Sequence, residues 1–126
     1  MEIDFIAYEN PNDGLISFPW LTGSSASSVV GLRTGTTGQP TYENYWGSIT
    51  FVLNGSDSNG NILTPNLAVT WRSYTGAGGT GNAWAQTTIA PYTVPPYSLL
   101  WISVVAPSPD EGSTYPSAAV VTLEFT

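Results

Sequence analysis

The sequence contains no cysteine, no histidine and no lysine, and each absence closes a class of chemistry. Without cysteine there is no disulfide, no thiolate metal site and no thiol nucleophile; without histidine the usual general base near neutral pH and the commonest metal ligand are missing. Charge of either sign is scarce. Asp, Glu, Lys and Arg make up 9% of the 126 residues, against about 25% in an ordinary soluble domain. Arg33 and Arg72 are the only cations, and with nine acids they leave a formal net charge of −7. Such a chain cannot neutralise a run of phosphates, which argues against nucleic acid as a partner, and an anionic bilayer would repel it. No apolar run approaches the roughly 20 residues that a membrane-spanning helix needs. The start, Met1-Glu2-Ile3-Asp4-Phe5, lacks the basic and apolar regions of a secretory signal, so synthesis without a signal peptide is expected.

Neutral Ser, Thr, Asn, Gly and Tyr take the place of the missing charges. A composition of that kind on a chain without a leader fits a component of a virion or other extracellular assembly, made in the cytoplasm and released by lysis. At this length one domain, residues 1–126, buries roughly two thirds of the surface of its unfolded chain. No repeat of 20 to 50 residues and no linker divides it.

Apolar residues alternate with polar ones in short runs bounded by Gly, Pro, Asn and Asp, and no long window has helical periodicity. Strands are predicted at 3–8, 15–18, 28–32, 48–53, 67–74, 83–89, 98–105 and 118–125. About eight antiparallel strands predict an all-β, two-sheet β-sandwich, either jelly-roll-like or immunoglobulin-like. Because successive side chains point to opposite faces, Ile49, Phe51 and Leu53 share a face, as do Leu67, Val69 and Trp71, and Ala119, Val121, Leu123 and Phe125. Residues 34–44 and 75–82 read as long loops, the second too rich in glycine to hold a strand.

Residues 98–105 break the pattern, with Leu99, Trp101 and Val105 on one face and Leu100, Ile102 and Val104 on the other. A strand in a two-layer fold has one inner face, so the second apolar face needs a covering loop or another subunit. The proline-rich stretch 91–97 is a candidate cover. If a subunit covers it, Leu100, Ile102 and Val104 are the expected interface, joined by Arg72, which projects opposite Trp71 and can pair with a carboxylate.

Asp57, Asn59 and Asn61 alternate in a way that can aim three oxygens at calcium, yet no acid follows before Asp110, whereas Asn59-Gly60 is a strong hairpin signal. A turn is therefore expected there, and no metal or other cofactor. Asn54-Gly55-Ser56 matches the N-glycosylation triplet. Paired carboxylates are the one catalytic class that survives the missing residues. Glu43, Asp110, Glu111 and Glu124 are the acids in the body of the chain, and nothing in the spacing fixes two of them together. An enzyme is not expected; a small carboxylate-dependent glycoside hydrolase ranks third among the functions weighed.

Five Trp, seven Tyr and four Phe are the other notable population. Trp71 and Trp101 fall on apolar faces and are expected in the core, while Trp84 shares its face with Gln86 and Thr88. Tyr42, Glu43, Asn44, Tyr45 and Trp46 combine flat rings with a carboxylate and an amide, ingredients suited to a sugar or a protein surface. These five and Trp84 are the candidate ligand-binding residues.

The segments Val52-Leu53-Asn54-Gly55-Ser56-Asp57 and Leu67-Ala68-Val69-Thr70 resemble the fungal immunomodulatory proteins. That resemblance implies an immunoglobulin-like sandwich that binds carbohydrate. The N-terminal region departs from that family's dimerising helix and the family's lysines are missing, so no site residue is carried over. The leading expectation is a non-catalytic structural subunit of a virus, phage or other extracellular assembly, such as a capsid, decoration or fibre component, whose partners are other copies of itself or other assembly proteins. A lectin-like carbohydrate-binding module is the alternative.

Overall fold

A computed structural model of the chain describes residues 2–9, 14, 16–17, 19–37, 46–74, 84–105 and 118–126, with side chains placed at 14, 16–17, 19–35, 49–71, 85–105 and 119–126. The described residues form strands and no helix. In chain order they are β1 (Glu2–Glu9), β2 (Trp20–Leu21), β3 (Ser27–Thr37), β4 (Trp46–Ser56), β5 (Ile62–Leu63), β6 (Ala68–Tyr74), β7 (Trp84–Val94), β8 (Leu99–Val105) and β9 (Ala118–Phe125). Two antiparallel sheets result. One has the order β1-β9-β3-β7; the other runs β2-β8-β4, with β5 and β6 both on the far side of β4. Consecutive strands stay in one sheet only along β4, β5 and β6; every other step of the chain changes sheet.

Period-two alternation explains the core. Ile49, Phe51 and Leu53 of β4 are buried with Leu67, Val69 and Trp71 of the β6 region, and on the other sheet Ala119, Val121, Leu123 and Phe125 of β9 are buried with Val29 and Leu32 of β3. All belong to one hydrophobic cluster, so the two sheets share a single core. The three alternating runs therefore bury the faces expected of them.

β8 supplies Leu100, Ile102 and Val104 to that cluster, at 1%, 0% and 1% exposure. These are the residues expected at an interface, and they are instead interior. Leu99 at 40% and Val105 at 53% face outward, and Trp101, expected in the core, is half-buried on the same outward side. The cause is visible in the register: Ile102 lies opposite Leu53 and Val104 opposite Phe51, and directly opposed residues share a face.

The proline-rich stretch is not the cover. Residues 91–94 continue β7 in the opposite sheet, pairing Tyr92, Thr93 and Val94 with Val29, Ser28 and Ser27. Pro91 is tolerated because β7 is an edge strand and because the register shifts there, with the three residues between Thr88 and Tyr92 set against the one between Val29 and Gly31. β3 likewise runs on to Thr37, into the predicted loop, and buried Thr34 donates its hydroxyl to the Val120 carbonyl at 3.0 Å. The remainder of that loop from residue 38, and residues 75–82, lie outside the described residues.

Of the strand predicted at 15–18, Ile16 and Ser17 are described, and Ile16 forms an isolated bridge to Ser103. Side chains and isolated amides complete the edge of β8 instead. Gly14 N donates to Val104 O at 2.9 Å, Ser17 N donates to Ile102 O and Ser17 Oγ accepts from Ile102 N, both at 2.8 Å. Thr22 N donates to Ser98 O, while Thr22 Oγ1 accepts from Ser98 N, again at 2.8 Å each. Between these contacts β2 pairs with Leu99 and Leu100, and the Trp20 ring meets Phe125 edge-on at 5.6 Å across the core.

Two stability measurements check this assignment by urea unfolding. Ile102→Ala is expected to cost about 2–5 kcal/mol, and Val105→Thr on the outward face to stay within about 0.5 kcal/mol; the reverse order would mean that the faces are exchanged. Thr22→Val, which leaves the buried Ser98 amide without its acceptor, is expected to cost about 1–3 kcal/mol.

Candidate functional site

The outward side of the five-stranded sheet is the surface whose chemistry is least accounted for by folding. β8 contributes Leu99, Trp101, Ser103 and Val105, opposite Ser56, Asn54, Val52 and Thr50 of β4. Leu21 of β2 lies beside Leu99 and is 59% exposed, and Ile16, opposite Ser103, is exposed as well. The polar members of this face are mostly bonded to one another. Thr50 Oγ1 and Thr70 Oγ1 share a hydrogen bond of 2.9 Å, and Asn54 Nδ2 donates to Ser103 Oγ at 2.9 Å and to Val52 O at 3.0 Å. The surface is thus apolar along β8 and internally satisfied beside it.

Those Asn54 bonds bear on the glycosylation triplet. Both amide hydrogens of Asn54 have acceptors within the sheet, and the residue is half-buried in the middle of a paired strand rather than on a loop. The folded domain does not present that nitrogen for modification.

The 57–61 segment is a turn centred on a carboxylate. Gly60 N donates to Asp57 O at 3.0 Å and Asp57 N to Asn61 O at 2.8 Å, with Gly60 at φ +84°, a left-handed value that favours glycine. Asp57 Oδ1 accepts from the amides of Asn59 and Asn61 at 2.9 and 2.8 Å, and Oδ2 accepts from Asn61 Nδ2 at 3.1 Å. Asn59 and Asn61 thus meet Asp57 as donors, which uses the alternating spacing without a cation. Among the described residues no group of three metal-ligating side chains occurs.

On the outward side of the other sheet, Arg33 Nη1 donates to Glu124 Oε1 at 3.2 Å, and Gln86 Nε2 reaches both Glu124 oxygens at 3.2 and 3.1 Å. Gly31, opposite Glu124 in register, makes room for this: a Cβ there would sit 2.9 Å from the Thr87 carbonyl and 3.0 Å from Glu124 Oε2. The Glu124 carboxylate is held by a cation and an amide. Its proposed catalytic companions Glu43, Asp110 and Glu111 lie outside the described residues.

Of the candidate ligand-binding residues, Tyr42, Glu43, Asn44 and Tyr45 also lie outside the described residues, and Trp46 and Trp84, like the interface candidate Arg72, are described by their backbone alone. Trp46 opens β4 opposite Tyr74, two positions from Arg72 opposite Ser48. Trp84 opens β7 in the other sheet, opposite Gly35. The two tryptophans therefore belong to different sheets. The exposed apolar residues of this face, Leu21, Leu99 and Val105 with half-buried Trp101, were not among the candidate site residues, and one signal marked the β8 row as the outer one: Ser103 shares it, while Leu100, Ile102 and Val104 form an unbroken apolar row.

The Asp57 turn makes a pH prediction. The backbone amide of Asn61 does most to hold the Asp57 carboxyl below the usual carboxylate range; desolvation opposes this, and the Asn61 side chain and Asn59 amide reinforce it. A depressed folded-state pKa gives a stabilisation that is present above the unfolded value of about 3.9 and is lost as pH falls through the folded value. The difference in melting temperature between the native chain and Asp57→Asn should be constant above about pH 5 and shrink on further acidification; a difference independent of pH down to acid would contradict this account.

No family model matches the chain, and a search of curated proteins finds none similar to it.

Proposed function

We propose that this chain is a non-catalytic structural subunit of a virus, phage or other extracellular assembly, working through contacts with copies of itself or with other assembly proteins. The observation that carries this reading is the outward side of β8, where Leu99, beside Leu21, and Val105, at the far end of the strand, stand exposed in place of polar side chains. Exposed apolar side chains along one strand are suited to a protein contact.

The two sheets are read as a β-sandwich of jelly-roll type. Support comes from the strand order, β1-β9-β3-β7 against β2-β8-β4-β6, in which the chain changes sheet at almost every step. An immunoglobulin-like order, the arrangement implied by the resemblance to fungal immunomodulatory proteins, instead keeps consecutive strands as neighbours within each sheet. Jelly rolls serve both as capsid and as lectin domains, so the fold by itself is neutral between the two functions.

A lectin-like module is the second reading, favoured by the register of Trp46 with Tyr74 beside Arg72, next to the 42–45 cluster. Light scattering over a hundredfold range of concentration, followed by electron microscopy of the largest species, separates the two. Closed oligomers, shells or filaments are the expected result. A chain that stays monomeric throughout, with tryptophan fluorescence quenched by sugars, would overturn the assembly reading in favour of the lectin.

A further inference from the structure

We propose that Asn59 is a site of spontaneous modification in the folded chain: solvent water converts its side-chain amide to a carboxylate, in part as isoaspartate, while the sheet shields Asn54, which also precedes a glycine. The inference is independent of the assembly reading above. Two Asn-Gly pairs occur in the sequence, Asn54-Gly55 and Asn59-Gly60. Glycine matters because it has no Cβ to keep its amide nitrogen away from the preceding side chain. That nitrogen and the side-chain amide carbon are neighbours in one chain, so their reaction needs no encounter, only the right geometry. Both pairs carry the same latent chemistry, and the fold decides which of them can use it.

Water is the only co-reactant. The Gly60 amide nitrogen, having lost its proton to solvent base, attacks Asn59 Cγ. A bond forms between Gly60 N and Asn59 Cγ, the Cγ–Nδ2 bond breaks, and the departing nitrogen takes protons from water to leave as ammonia. Water then opens the cyclic imide at either carbonyl. Opening at Cγ gives aspartate with the original backbone; opening at the main-chain carbonyl gives isoaspartate, with the chain now running through the side chain. Across both steps one water enters and one ammonia departs, with no oxidation or reduction. Either product adds one negative charge to the formal −7.

Asn59 and Gly60 are exposed, and a Cβ built on Gly60 would meet nothing within 4 Å, so the nitrogen that attacks has open space around it. Among the described residues no hydrogen bond holds the Asn59 side chain; its backbone amide alone is tied, to Asp57 Oδ1. What restrains the reaction is the turn, in which Gly60 N donates to Asp57 O at 3.0 Å. The nitrogen is released when the turn opens, and the Asp57 carboxylate bonds that hold it closed are all exposed, so opening is a local event. Asn54 is held otherwise. Its side-chain nitrogen donates to Val52 O and Ser103 Oγ, and Gly55 is buried in β4 between Leu63 and Leu100, with Leu100 Cδ2 2.9 Å from where a Cβ would stand. Closing the imide there requires β4, paired on both sides, to come out of its sheet, which is unfolding of the domain.

The test is incubation of the full chain at mildly alkaline pH, folded and in urea, followed by peptide mapping in a mass spectrometer that measures conversion at each asparagine and separates isoaspartate from aspartate. In the folded chain Asn59 is expected to convert at least about tenfold faster than Asn54, because an exposed turn opens far more often than a central strand, and isoaspartate is expected among its products. In urea the two sites should convert at similar rates. Asp57→Ala removes the acceptor of three of the turn's hydrogen bonds and is expected to speed conversion at Asn59 by about two- to tenfold, with circular dichroism confirming that the variant is folded. Equal rates at Asn54 and Asn59 in the folded chain would overturn the proposal, as would an Asn59 that is inert when folded and reactive in urea. Aspartate without isoaspartate would overturn the imide route, and an unchanged rate in Asp57→Ala would overturn control by the turn.

Discussion

Each strand of a two-layer protein has two faces, and the shared interior takes only one of them. Here the interior is built from alternate residues of β4, β6 and β8 set against those of β3 and β9, with Phe51, Trp71, Leu32 and Leu123 among the largest fully buried side chains. Full burial of a Leu, Ile, Val or Phe side chain contributes about 1.5–3 kcal/mol relative to exposure. The Arg33–Glu124 pair, with Arg33 39% exposed, belongs to a class of contacts that contributes about 0–1 kcal/mol. In a chain with two cations, apolar burial therefore sets the placement of every strand, and electrostatics adjusts the surface. Register follows from the same constraint, because a slip of one residue would turn Ile102 or Phe51 out to water.

Scarce charge also changes how edges are finished. Ser17 and Thr22 stand in for a missing strand along β8, each donating from its amide and accepting at its hydroxyl. Thr34 ties β3 to β9 through the Val120 carbonyl, and the Tyr92 hydroxyl accepts from Thr64 N, linking β7 to the segment after β5 in the other sheet. Short hydroxyl side chains suit these tasks because they satisfy buried backbone groups at low cost in rotamer entropy. The abundance of Ser and Thr, which at the sequence level suggested only a polar surface, is in part this internal work.

The strands with one apolar and one polar face were legible in the sequence, since β4, β6 and β9 each present a single choice of inner row. β8 was not, because both rows are apolar and the decision lies in a neighbour: Leu53 and Phe51 of β4 lie opposite Ile102 and Val104. That pairing joins residues about fifty positions apart, beyond what local periodicity can register. The two-residue strands β2 and β5 were invisible for a related reason; Trp20-Leu21 and Ile62-Leu63 are too short to carry a period and exist because longer strands lie beside them. The turn at Asp57 was legible because its signal is local, an Asn-Gly pair with an acid two positions earlier. The candidate site inherited the β8 ambiguity: the row expected at an interface, Leu100, Ile102 and Val104, is the buried one.

The way the edges are finished bears on how such a molecule can meet another. β9, a terminal strand that looked able to pair outside the domain, is enclosed between β1 and β3. The edge of β8 is occupied by the 14–22 segment, β7 carries Pro91, and β1 places Glu2, Asp4 and Glu9 on the remaining edge of its sheet. Proline and charge on edge strands are the devices by which β proteins prevent backbone pairing between molecules. Backbone association is thus discouraged at several edges, while one broad face keeps Leu99, Trp101 and Val105 uncovered by the described residues. A sequence under no demand for contact on that face could have placed Thr there, as β4 and β6 do at Thr50 and Thr70, and kept the same core. Large apolar side chains at Leu99 and Val105 are not required by the core, and under the assembly reading proposed above they serve recognition by side chains rather than by strand addition.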